Sequence, residues 1–327
     1  MIQVIIKDGL GNQLFQYAYA RYLQVLYRNA GINDNIGINP FFIQHSKNID
    51  CDDRDMSINH FVLNENIKFL SLEQQEKGMR AFKYRCIFAT PLSEMYRWRI
   101  KKQKIDKEKT FVYRGKRGLY YTYTSCTDFP SPISKATDKF VFGFFQTENN
   151  FSPIADIIRK ELKVKDLPSK ENSDMIKYIQ SVNAVCLHIR RGDYLNPRWK
   201  NLQICTFDYY NNAINIILDR VENPVFFVFS NTHKDLEWIK ENYHFKDEKG
   251  KREIKLVYVD LANPDYEELR LMYSCKHFII SNSTFSWWGA WLSDNSNKIV
   301  CAPERWNLGV EDDYKIYCKN WIKVKNK

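Results

Sequence analysis

The sequence predicts an α/β protein made of two doubly wound domains with a cleft between them. Three observations carry that expectation. The chain has 327 residues, enough for two domains of roughly 100–200 residues each. From residue 184 onward, short β-branched or aromatic runs alternate with segments of helical periodicity, the pattern of a parallel sheet covered on both faces. At the N-terminus a β-branched run, Ile2 to Ile6, enters a glycine turn and then a helix-like stretch.

Taken in order, Asn12 to Arg28 places Leu14, Ala18, Tyr22 and Leu26 at helical spacing, with Asn12 near the helix start. Residues 30–75 mix short apolar segments with polar turns, and 77–117 is basic. Lys139–Phe145 (KFVFGFF) reads as a strand, followed by a helix from about Pro153 to Leu162. The polar run Lys163–Ser173 (KVKDLPSKENS) is the expected interdomain linker, giving an N-terminal domain over 1–165 and a C-terminal domain over 166–327. Beyond it, strands are expected at Ala184–Arg190, Pro224–Ser230, Lys255–Val259, His277–Ser281 and Lys298–Ala302. Helices are expected between them at Phe207–Arg220, Asp235–Asn242, Asp265–Cys275 and about Phe285–Leu292. Ligands of such sheets bind at the carboxyl ends of the strands.

Composition narrows the function classes. Hydrophobic residues at 44% and charged residues at 27% match an ordinary globular protein, which excludes disordered and fibrous architectures. The formal charge is +10, and the segment from Lys77 to Arg117 carries 14 Lys/Arg against three acids. Such a stretch suits a solvated helical face, a nucleic acid or an anionic membrane surface. The eight cysteines include no CxxC and the six histidines no HExxH, so no zinc signature is present. Neither a secretory signal nor an apolar run of membrane-spanning length occurs, and the expected location is cytoplasmic. Asp53-Arg54-Asp55 matches the DxD associated with metal-dependent sugar transfer, but in the polar run CDDRD it reads as a solvated loop.

Three places can carry chemistry. The first is Gly9-Leu10-Gly11-Asn12-Gln13, a glycine turn that brings backbone amides towards an anion or simply needs a positive φ. It is a partial dinucleotide fingerprint, with Leu14 where a third glycine belongs, and by itself allows an NAD-linked oxidoreductase. The second is Val185-Cys-Leu-His188-Ile-Arg190-Arg191-Gly192-Asp193-Tyr194. His188 and Arg190 lie on one side of an extended run, and two guanidinium forks at a strand end suit a diphosphate, with Asp193 holding one fork. The third is Ser283-Thr284-Phe285-Ser286-Trp287-Trp288-Gly-Ala-Trp291, where Ser283 or Thr284 caps a helix whose free amides face a ligand. Trp287 and Trp291 share a face of that helix and are expected in the core. An arginine pair converging with a helix N-terminus makes a pyrophosphate site without a P-loop, and a nucleotide sugar fits it.

At these residues the sequence resembles the bacterial-type α-1,2-fucosyltransferase family. GLGNQLFQYAYARYL, HIRRGDY and SNSTFSWWGAWLS occur in that family's order and spacing, and the likeness covers most of the chain. It implies two Rossmann-like domains facing a cleft in the GT-B arrangement. It also implies GDP-β-L-fucose as donor, inverting transfer to the 2-hydroxyl of a terminal galactose, and no obligate metal or other cofactor. By the same resemblance Arg190 sits on the donor phosphates and Asn12 faces the reaction centre. His188, Arg191, Asp193, Ser230, Ser283, Thr284 and Phe285 complete the expected donor site, with His188 a candidate base. Gly9, Gly11, Asn12 and Gln13 form the acceptor-side loop. The acceptor is a galactose-terminated oligosaccharide or glycolipid, the basic segment 77–117 offers a peripheral contact with anionic membrane, and a nucleic-acid partner is not expected. Two departures stand out: Asp8 replaces the first glycine of Gly-Gly-Leu-Gly-Asn-Gln, and Ser230-Asn231-Thr232 stands where relatives carry an aspartate pair.

Overall fold

The computed structural model describes residues 1–45, 55–89, 106–122, 124–126, 128–250, 252–309 and 315–326. The chain divides into two compact units, Met1–Leu162 and Lys163–Lys327. Among the described residues each is built on one all-parallel sheet, of five and six strands respectively. No helix among these residues is long and apolar enough to cross a membrane.

In the first unit the strands are β1 (Ile2–Ile5), β2 (Ile36–Asn39), β3 (Ile67–Phe69), β4 (Leu119–Tyr121) and β5 (Lys139–Phe142), in the spatial order β3-β2-β1-β5-β4. Helices α1 (Leu10–Asn29), α2 (Phe41–His45), α3 (Leu72–Phe88), α4 (Lys107–Gly115) and α5 (Ala155–Glu161) complete it. Strands β2 to β4 are too short, at three or four residues, to produce a readable alternation in a polar stretch.

Helix α1 is buried well beyond its apolar stripe, because its polar side chains are satisfied internally. Arg21 meets Glu161 with Nε and Nη2 both at 3.0 Å from carboxylate oxygens, and the Tyr17 hydroxyl donates to the same carboxylate at 2.6 Å. A buried pair of this kind does little for net stability but is costly to break from one side.

The second unit has β6 (Asn183–His188), β7 (Pro224–Phe229), β8 (Lys255–Tyr258), β9 (His277–Ile279), β10 (Val300–Pro303) and β11 (Ile322–Val324), in the order β11-β10-β9-β6-β7-β8. Its helices are α6 (Lys170–Ser181), α7 (Phe207–Leu218), α8 (His233–Asn242), α9 (Asp265–Tyr273) and α10 (Thr284–Leu292). Val185, Leu187 and Ile189 turn one way from β6, into a core with Tyr209, Ile214, Leu236 and Ile239 of α7 and α8. The alternate residues Cys186 and His188 turn towards α9 and α10, as period-two geometry requires.

Helix α10 has no solvent face to speak of: Ser286 to Leu292 are all buried. Trp287 and Trp291 stack at 6.0 Å, Trp288 packs edge-on to both, and the Trp287 indole N–H donates to the Ile316 carbonyl at 2.7 Å. Gly289 lets α9 come close, since a Cβ there would stand 3.1 Å from that of Met272. The tryptophans are therefore core, as expected, and their function is to fix the start of α10. Replacing Trp287 by Ala should lower the unfolding free energy by about 3–5 kcal/mol in urea titrations. Trp287→Phe should cost less, since it keeps an aromatic ring and loses chiefly the bond to Ile316.

Candidate active site

Each sheet reverses its winding next to the strand that carries a motif. In the second unit the chain runs outward from β6 through β7 to β8, then returns to β9 on the other side of β6 and runs outward again. The crevice at the carboxyl ends of β6 and β9 is the topological switch point, where ligands of open α/β sheets bind. The two motifs that follow these strands, His188–Gly192 and Ser281–Ser286, are thereby brought together.

The strand β6 ends at His188, two residues short of expectation, so Arg190 stands on the loop leaving it. His188 is buried, its Nδ1 is 3.0 Å from the Ser281 hydroxyl oxygen, and its ring lies 6.0 Å from that of Phe285. Burial, and then the adjoining Arg190 charge, push its pKa down to about 3. The buried ring therefore favours its neutral form, with Nδ1 against Ser281. The Arg190 guanidinium carbon lies 5.2 Å from the Tyr194 ring centroid, and the Tyr194 hydroxyl donates to the Asn282 carbonyl at 3.0 Å. Arg190, Tyr194 and the residues before α10 thus form one connected edge.

The Ser/Asn/Thr cluster is mostly spoken for. Ser283 is the N-cap of α10, and its hydroxyl accepts from the Phe285 amide at 3.3 Å, so that amide is not offered to a ligand as the sequence suggested. Ser286 donates to the Ser281 and Ser283 carbonyls at 3.3 and 3.1 Å, and Asn282 donates to the Leu202 and Trp306 carbonyls at 3.0 and 2.9 Å. Thr284 and Phe285 alone in the run 281–286 keep partial exposure, beside the positive end of the helix dipole.

Other residues stand elsewhere than expected. Arg191 turns to the opposite side from His188: its guanidinium carbon is 3.3 Å from the Trp238 ring centroid, and its Nε is 3.6 Å from Asp235, itself within the first turn of α8. Arg191 is thus held on the α8 side, where it lines the same pocket as Arg190 and Tyr194. The Ser230 hydroxyl donates to the Ile189 carbonyl at 2.8 Å, tying the loop after β6 to the end of β7. Asn231 accepts from the Arg191 amide at 3.2 Å and packs so closely on Gly192 that a Cβ there would meet it at 2.9 Å. The side chain of Asp193, and Asp53 and Arg54 of the DxD, lie outside the described residues.

Sequence reasoning passed over Glu268 of α9. The residue as a whole is only partly buried, but protein surrounds its carboxyl group. Desolvation and the Asp265 charge push its pKa up to about 8, opposed by the Arg190 charge. Its position on an ordinary-looking acidic helix start, DYEEL, gave no signal; only folding carries it to Arg190. A His233–Asp260 pair joins the ends of β7 and β8 nearby. A pocket of 230 Å³, with walls including Arg190, Tyr194, Phe207, Trp238, Tyr243 and Asn282, opens beside the arginine.

The first unit repeats the logic at the β1–β5 switch point, where the glycine loop follows β1. The left-handed conformation falls on Asp8, with φ 64°, whereas Gly9 caps α1 at φ −68°. Glycine takes that conformation most readily, and aspartate is among the few side chains that tolerate it. Gln13 is wholly buried and closes the loop, donating to the Asp8 and Asp55 carbonyls at 2.9 and 2.8 Å. Gly11 is buried within the first turn of α1. Asn12 is half-buried and its Oδ1 accepts from Gln146 Nε2 at 2.7 Å, which ties the loop to the segment after β5.

Taken together, the fold is that of a doubly wound α/β protein whose candidate site lies in the crevice at the carboxyl ends of the strands, as in ligand-binding members of that class. The chain belongs to Glycosyl transferase family 11, whose model matches residues 1–325. It is 27% identical over 333 residues to the O-antigen biosynthesis glycosyltransferase WbnK of Escherichia coli, covering 98% of this chain and 99% of that one. It is 29% identical over 305 residues to an Escherichia coli alpha-1,2-colitosyltransferase, covering 92% and 90%. A galactoside alpha-(1,2)-fucosyltransferase 1 of Saimiri boliviensis boliviensis is 27% identical over 153 residues, 44% of this chain and 40% of the monkey protein. Among solved structures, the fucosyltransferase NodZ from Bradyrhizobium is similar with a TM-score of 0.46 and 11% identity, covering 88% and 92%.

The electrostatics set two pH effects of opposite sign. His188 is neutral in the fold and ordinary in the unfolded chain, so its contribution to stability declines as pH falls from about 6.5 towards 3. Glu268 takes up its proton more readily in the fold, so its contribution declines as pH rises from about 4.5 towards 8. Ionising Glu268 also sets a negative charge close to Arg190. GDP affinity measured by calorimetry should therefore weaken as pH passes about 8, and the inflection should vanish in Glu268→Gln.

Proposed function

We propose that this protein transfers L-fucose from GDP-β-L-fucose to the 2-hydroxyl of a terminal galactose, with inversion, to give an α-1,2-fucosylated glycan. What supports the reading is that Arg190, Tyr194 and Asn282, two residues before α10, form one edge of the pocket at the β6–β9 switch point, inside a family with α-1,2-linking relatives. An arginine fork and a helix N-terminus together suit a diphosphate, and the aromatic-walled pocket beside Arg190 adds surface for a ring of the donor.

In this mechanism the C1–O bond of the donor lengthens, positive charge grows on the sugar and negative charge on the departing GDP. Arg190 and the positive end of α10 stabilise the leaving group, and this is the largest catalytic contribution. The acceptor hydroxyl attacks C1 from the opposite face, the C1–O bonding pair leaves with GDP, and the hydroxyl proton is lost late, to solvent water on the acceptor side. Neutral His188 takes no proton; it holds the Ser281 end of the cluster in place. Asn12, fixed by Gln146, presents its amide on the acceptor-side loop. No step in this scheme requires a metal.

The colitosyltransferase relative favours a second donor for the same site. Colitose is fucose without its 3-hydroxyl, so the phosphate contacts are common to both donors and only the sugar pocket discriminates. The test is GDP release with EDTA present, comparing GDP-fucose and GDP-colitose across a panel of β-galactosides, each beside Arg190→Ala. Acceptor-stimulated release with GDP-fucose is expected, falling by about 10²–10³ in kcat in the variant, with an α-1,2 linkage in the product. Turnover with GDP-colitose alone would move the assignment to that donor. Activity unchanged in Arg190→Ala would remove the phosphate site.

A further inference from the structure

We propose that the outward face of α3 docks this protein on an anionic phospholipid bilayer. The helix is amphipathic in an unusual sense. Its inner face, Gln75, Gly78, Met79 and Phe82, is buried, with Met79 and Phe82 in a core cluster with Ile5, Leu119 and Phe140. Its outer face does not become purely polar. Tyr84, Ile87 and Phe88, which crowd its last turn and a half, are 68%, 68% and 66% exposed, and the Tyr84 and Phe88 rings pack against each other at 5.0 Å.

These three side chains share their face with exposed Lys77, Arg80 and Lys83. Apolar groups flanked by cations on one helical face match the interface of a membrane, where rings and aliphatic groups enter the acyl boundary and cations meet lipid phosphates. The cationic field extends beyond the helix. Arg85 donates to the Arg117 carbonyl at 2.8 Å, which brings the end of α4, with exposed Lys116 and Arg117, beside α3. Glu73 lies in the first turn, and Glu76 shares the outward face and stands 3.9 Å from Arg80, so the contact is made by the C-terminal half of α3, tip first, with Lys83, Lys116 and Arg117 the cations nearest the exposed rings.

The same features weigh against other occupants. A second copy docked face to face would set Lys77, Arg80 and Lys83 against their like charges. A nucleic acid would use the cations and the Tyr84 ring but gain nothing from Ile87, whose aliphatic side chain suits hydrocarbon. Neither the donor site nor the reaction enters this inference, so it stands or falls separately from the proposed activity.

The experiment is co-sedimentation of the full chain with vesicles of phosphatidylcholine alone and of phosphatidylcholine containing phosphatidylglycerol. Two triple variants are compared with it: Tyr84→Ser/Ile87→Ser/Phe88→Ser and Lys77→Glu/Arg80→Glu/Lys83→Glu. Because all six positions face solvent, both variants should keep the parent's thermal midpoint within a few degrees, which serves as the folding check. Binding is expected only with the anionic lipid, weakened by added salt, and roughly ten-fold or more weaker in either variant. Equal binding to neutral vesicles, or variants that bind like the parent, would overturn the proposal. So would a parent that ignores both vesicles but retains RNA, or forms a dimer, in a manner lost in the variants.

Discussion

The adjacency of β6 and β9 is the constraint on which the candidate site depends. These strands are far apart in sequence, and each is followed by a loop whose residues are inert alone: a histidine and arginines after one, a serine-rich helix start after the other. Pairing Val185 with His277, Cys186 with Phe278 and Leu187 with Ile279 sets the register and brings the two loops to one crevice. A one-residue slip would turn His188 to the wrong side of the sheet. The core beneath guards that register, with Val185, Leu187 and Ile189 packed under α7 and α8 and the tryptophans of α10 locked behind.

Around that crevice most polar groups are consumed in holding the backbone. Ser230, Asn231, Asn282, Ser283 and Ser286 each spend side-chain hydrogen-bonding capacity on neighbouring main chain. The surrounding titratable groups are biased towards their neutral forms, His188 by burial and Glu268 by burial with Asp265. Neutral forms of His188 and Glu268 leave the local field positive around Arg190. That is the preorganisation expected where negative charge must be received.

Much of this was legible in the sequence, for reasons that differ by element. The C-terminal alternation was readable because buried parallel strands such as Pro224–Phe229 are continuous apolar runs and the helices between them are amphipathic. The strand Ile322–Val324 and the short strands β2 to β4 escaped because three or four residues in polar surroundings carry no periodicity. The motifs HIRRGDY and SNSTFSWW drew attention to the two loops that β6 and β9 bring together, yet residue identity did not reveal direction. Arg191 packs on Trp238 and Asp235 whereas Arg190 lies beside Tyr194, on two sides of one pocket. Glu268 was invisible because its meaning comes from the helix start that carries it to Arg190. At the N-terminus the glycine pattern drew attention to Gly9 and Gly11, whereas the conformation that needs a permissive residue falls on Asp8.

The central claim is that nucleotide diphosphate binds at the β6–β9 switch point and not at the glycine loop after β1. Amide hydrogen exchange of the intact protein with and without GDP tests it most directly. Slowed exchange confined to residues 188–194 and 281–286, together with the start of α9, is the outcome this account requires. Protection centred on residues 8–13, with 188–194 and 281–286 unchanged, would contradict it.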